Sequence, residues 1–140
     1  VSKLDSEVLD YYVIDPEWKI KTILLHIAKA SNNYGQFING VTETEPLELE
    51  EPSSSDDIKV LTDKLYEIDQ GLIDNQGIGD VDLTIKMRSG VKEHKSSTIF
   101  SQMVFHAAEH RAQIVAALDR HNVRSINLDD YDVWSYIRAH

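Results

Sequence analysis

The chain has 140 residues, 41% hydrophobic and 27% charged, a balance that suits one folded domain over residues 1–140 rather than a disordered chain. Its formal net charge of -10 argues against nucleic acid and membrane surfaces as partners, and no dense Lys/Arg cluster offsets it. The absence of cysteine excludes disulfides, thiolate metal sites and cysteine nucleophiles, and no run of about 18 apolar residues is present to span a bilayer.

The N-terminus, VSKLDSEV, lacks the basic start and apolar stretch of a signal peptide, so the cytoplasm is the expected compartment. The chain begins with Val rather than Met, which fits either processing or loss of a natural beginning. Asp15-Pro16 predicts a turn into a helix over about 17–41. Ile20, Ile23, Ile27, Ala30, Tyr34 and Phe37 recur at steps of three and four and share one face, and Gly40 is its expected stop. Residues 42–57 are acidic, with two prolines and three serines, and read as an exposed loop. Ser54-x-x-Asp57 resembles a capping box opening a helix to Asp74, with Ile58, Leu61, Leu65, Ile68 and Leu72 as its buried stripe. Residues 82–87 alternate as a strand does, and with no other sheet in view they are expected to be decoration on a helical core. Ser96 and Ser97 open the last long helix, to about His121, with Asn122 as its cap. Its apolar face is expected to hold Phe100, Met103, Val104, Ala107, Ile114 and Leu118. An acidic cap at residues 129–132 precedes a short helix expected to pack on the bundle through Val133, Trp134 and Ile137.

Of the six histidines, His106 and His110 lie four apart on a helix, where two imidazoles stack on one face and can share a metal ion. They and His26 each flank the apolar stripe of an amphipathic helix, so the three could converge on one cavity; ordinary core-edge histidines are the competing explanation. His94 and His140 are expected to be solvated, and His121 to sit against the negative end of a helix dipole. Neither the His-Glu-x-x-His pattern nor the Glu-x-x-His of di-iron bundles is present, which favours a mononuclear site. Arg111 falls near the middle of the expected stripe. A buried guanidinium needs a carboxylate, and Asp130 or Asp132 is the expected partner, unless the side chain snorkels to solvent. Asn33, two turns after His26, and Gln113, three residues after His110, are candidates to line a pocket, or are simply polar flanking residues.

The segment from Phe105 to Ile114 (FHAAEHRAQI) resembles the H-x-x-x-H-R-x-Q-I signature of the DinB/YfiT-like metal-binding superfamily. Leu24-Leu25-His26-Ile27 resembles the helix that brings that family's first metal histidine, and residues 128–138 its closing segment. The resemblance implies an all-α fold, a four-helix bundle of the up-down-down-up kind. It would carry a short extended segment before the last long helix and a short C-terminal helix. It also implies that His26, His106 and His110 hold one divalent ion, with zinc first in order and nickel, iron, manganese or copper as alternatives. The family's first helix has no counterpart here, so either the chain is truncated or a second protomer in a homodimer covers the exposed face. The implied activity is transfer of a low-molecular-weight thiol to a small electrophilic substrate. A metal-dependent hydrolase and a non-catalytic metal-binding module remain the alternatives, and whether the chain is an enzyme is left open.

Overall fold

A computed structural model describes residues 5–74, 79–87, 89–124 and 126–139. A 3-10 turn (Ser6–Asp10) leads to α1 (Ile20–Ile38); α2 (Ser55–Asp74), β1 (Asp82–Met87), β2 (Gly90–Lys95) and α3 (Ser96–Arg120) follow. A second 3-10 turn (Leu128–Tyr131) and α4 (Val133–Ala139) close the chain. Local chemistry sets several of these limits. Gly40, at φ 81°, ends α1: its N–H and that of Val41 take the last free carbonyls, those of Phe37 and Gln36, at 2.9 and 3.0 Å. Ser54 Oγ accepts from the Asp57 N–H at 3.2 Å to open α2, while the Asp57 carboxylate reaches back to Ser53. The start of α3 is capped from a distance, because the Asp80 carboxylate accepts from the Ser97 N–H at 3.0 Å.

Two core clusters fix how the helices run. In one, Ile20, Ile23 and Ile27 meet Ile58 from the start of α2 and Ala117 and Leu118 from the end of α3, with Val8 and Leu9 closing over them. In the other, Ile38 meets Leu72 from the end of α2 and Ile99 from the start of α3. Helices α1 and α2 are therefore parallel, and α3 is antiparallel to both. A parallel pair needs a connection that returns the length of a helix, about 28 Å for α1. The acidic segment 41–54 supplies it and is a strap rather than a free loop. Gln36 pairs with the Glu45 backbone at both N–H and carbonyl (2.8 Å each), and Thr22 Oγ1 donates to Glu51 at 2.7 Å near the start of α1.

The all-α expectation is corrected by the antiparallel β1–β2 hairpin, in which Leu83 faces His94 and Asp82 faces Lys95. Nor is it decoration: Leu83 and Ile85 are buried in the second core cluster, because one face of the hairpin covers the end of α1 and the start of α3. His94, expected to be solvated, is half-buried on β2, and its Nε2 has no hydrogen-bond partner. His121 caps α3 and stacks on Tyr11 at 3.8 Å, while His140 lies outside the described residues.

Helix α3 also turns a different face inward. Its buried residues are Ser96, Ile99, His110, Ile114, Ala117 and Leu118, so the histidines stand nearer the middle of the packed face than the sequence pattern places them. Phe100, Val104 and Arg111 lie instead along a trough of about 440 Å³ left between α2 and α3, which both pack on α1 but hardly on each other. Arg111 is accordingly exposed, and among the described residues no ion pair joins it to Asp130 or Asp132. Those carboxylates serve their own segment: Asp132 caps α4 by accepting from the Ser135 backbone N–H at 2.6 Å, and Asp130 accepts from the Asn127 side-chain amide at 3.4 Å. Helix α4 packs mainly against the 3-10 turn before it, leaving Trp134 and Ile137 exposed rather than seated on the bundle; the Val133 side chain lies outside the described residues.

Candidate metal centre

The antiparallel register of α1 and α3 decides what meets what. With Ile20 beside Leu118 at one end and Ile38 near Ile99 at the other, His26 falls opposite the turn of α3 that carries His106 and His110. The two α3 histidines point the same way because four residues are close to one helical turn. Their Nε2 atoms are 3.2 Å apart, and His106 Nε2 is 2.9 Å from His26 Nε2. A ligand nitrogen from each ring lies within 4.8 Å of the others. His110 is buried; His26 and His106 are half-buried.

The surrounding side chains hold these rings in place. Gln113 Oε1 accepts from His110 Nδ1–H at 2.7 Å, which puts the proton on Nδ1 and leaves the Nε2 lone pair facing the other two rings. Trp18 lies parallel to the His110 ring at 5.7 Å and edge-on to His26 at 5.2 Å. Tyr34 meets the His106 ring edge-on at 5.9 Å. Burial, and then the neighbouring His110, hold the pKa of His26 below its ordinary value of 6.5. His106 is lowered by the same burial and by both partner rings, against a small opposing pull from Glu109. The lowered groups are therefore neutral at pH 7, the form that ligates a metal.

Three imidazole nitrogens aimed at one point cannot satisfy one another, because each shared hydrogen bond uses one N–H and one lone pair. A cation satisfies all three. Nitrogens at about 2.0–2.1 Å from a tetrahedral ion stand roughly 3.3 Å apart. Two of the spacings, 2.9 and 3.2 Å, come near that value and all three nitrogens lie within 4.8 Å of one another, so the residues fit a metal ion once the rings adjust around it. The donor set is all nitrogen, which suits first-row transition ions rather than calcium or magnesium. Three protein ligands leave a tetrahedral ion one open position.

The structure brings His26, His106, His110 and Gln113 together. Asn33 is half-buried, and among the described residues no hydrogen bond joins it to the triad. Trp18 and Tyr34 are site residues that the sequence pattern did not single out. Tyr34 lies eight residues after His26 and reads equally well as core, and Trp18 falls within the helix expected from residue 17, whereas α1 begins only at Ile20. The chain matches no protein-family model, no curated protein and no solved structure. Among the described residues no helix is long and apolar enough to cross a membrane.

Proposed function

We propose that this chain is a DinB-like metal-dependent enzyme that transfers a low-molecular-weight thiol to a small electrophile, with one divalent ion, zinc foremost, held by His26, His106 and His110. The observation that carries this reading is the convergence of three imidazole nitrogens from two antiparallel helices on one point. When bound, such an ion acts as a Lewis acid that lowers the pKa of a thiol or water beside it and so supplies a nucleophile at neutral pH. The rest is done by the chain. Gln113 fixes the His110 tautomer, Trp18 and Tyr34 hold the rings at their angles, and burial keeps His26 and His106 neutral. The half-buried side of the triad leaves room for a reactant to approach. In the transfer a carbon–sulfur bond forms at the electrophilic carbon, the leaving group departs with its electron pair, and the thiol proton passes to solvent. A cytoplasmic setting, where such thiols stay reduced, accords with this reading.

A panel of thiols and electrophiles incubated with zinc- or nickel-loaded protein tests it. Turnover that needs the metal and disappears in His106→Ala supports the proposal. Turnover unchanged in that variant, or none with any pair while the metal is bound, contradicts it.

A further inference from the structure

Beside the triad lies a cleft of about 520 Å³, formed where residues 13–18 cross the second half of α3. Its size falls within the range of small-molecule sites. Two of its walls are also walls of the triad: Trp18, parallel to the His110 ring, and Gln113, which holds His110 Nδ1. Ala112 and Ala116, one turn apart on α3, form the floor where larger side chains would fill the space. Ile14 stands 85% exposed at the edge and Trp18 41% exposed beside it, apolar surface that a ligand would take out of water. The lining contains no Lys, Arg or His, and its two charged groups, Asp15 and Glu109, are carboxylates that repel an anion.

We propose that this cleft is the subsite for the uncharged apolar body, an aryl or branched alkyl group, of a small molecule whose reactive end lies at the triad. The inference rests on the metal reading of the three histidines and adds the class of substrate. An anionic molecule would meet two carboxylates and no cation in this cleft, whereas a neutral ring would cover Ile14 and Trp18 and rest on the two alanines.

Calorimetric titration of zinc-loaded protein with three thiols tests it: benzyl mercaptan, ethanethiol and 4-(mercaptomethyl)benzoate. Benzyl mercaptan is expected to bind about tenfold or more tightly than ethanethiol, and the added carboxylate to abolish that advantage. Ala116→Phe, which fills the cleft, and Ile14→Asp, which charges its edge, both alter exposed positions and so leave folding intact. Each is expected to remove the preference while one zinc per chain is still taken up. Equal affinities for the three thiols, or a preference that survives both substitutions, would overturn the subsite alone. A wild-type chain that takes up no zinc would overturn the metal reading, and the subsite with it.

Discussion

At the scale of single residues, the triad depends on how its imidazoles are held. Gln113 makes the only side-chain hydrogen bond recorded to a non-ligating nitrogen of the triad among the described residues. A supporting partner of this kind sets the tautomer of its histidine, and its loss typically costs about 10–100-fold in metal affinity. Gln113→Leu is therefore expected to weaken metal binding by about that factor with no comparable loss of folding stability, as read by competition with a chromophoric chelator. Affinity equal to wild type would show that His110 needs no such support. That His26, His106 and His110 could converge on one cavity was readable from residue type and helical position, with core-edge histidines as the competing explanation, and the three do come together. The role of Gln113 was only half readable: its spacing from His110 puts it near the site but does not say whether it faces the ligand or the substrate. Trp18 was not readable, because the helix expected from residue 17 begins only at Ile20, so Trp18 reaches the triad through the path of the chain before it.

At the scale of elements, the hairpin and the trough make separate claims. Ile85 on β1 is fully buried among Ile38, Leu72 and Ile99. Ile85→Ala is expected to destabilise the fold by about 2–5 kcal/mol, the range for deleting such a side chain from a packed core. A loss near zero in chemical denaturation would return the hairpin to mere decoration. Asp69 on α2 lines the trough between α2 and α3, and burial holds its pKa above the ordinary 3.8. A carboxyl group raised on folding favours the folded state in its protonated form, so its stabilising contribution is complete below about pH 3.8 and is lost as the pH rises through the raised value. Asp69→Asn should therefore raise the melting temperature at pH 7, with a gain that shrinks as the pH falls toward 4. A gain independent of pH would show that its charge is not the cause. Helices α1 and α2 were legible to within a few residues because their apolar periodicity is strong, and α3 because Ser96, Ser97 and Asn122 mark its ends. The inward face of α3 was not, since Phe100 and Val104 are apolar yet border the trough, and apolar residues on both flanks blur a helical wheel. The same blur put Arg111 at the centre of a stripe when it stands at an edge, and so called for an ion pair with Asp130 or Asp132 that the structure does not make.

At the scale of the whole molecule, an ion held by the triad would be coupled to folding, because the three histidines come from α1 and α3 and meet only when the helices pack. An ion that binds the folded chain alone stabilises it by about 2.7 kcal/mol at 100 times its dissociation constant. For a chain of this size that corresponds to a rise of roughly 5–10 °C in melting temperature. The parallel course of α1 and α2, the strap that permits it and the register that sets His26 opposite His106 were not in the sequence pattern. Periodicity reports which face of a helix is buried, not which helix it meets or in which direction.

The most direct test is a metal-binding titration, with elemental analysis, of the wild-type chain and of His26→Ala, His106→Ala and His110→Ala. One divalent ion per chain is expected in the wild type. Each substitution is expected to lower the affinity by more than the about 10–100-fold that loss of a supporting hydrogen bond costs, with helical content preserved. A wild type without a bound ion, or a His26→Ala chain that binds as tightly as its parent, would contradict the shared site.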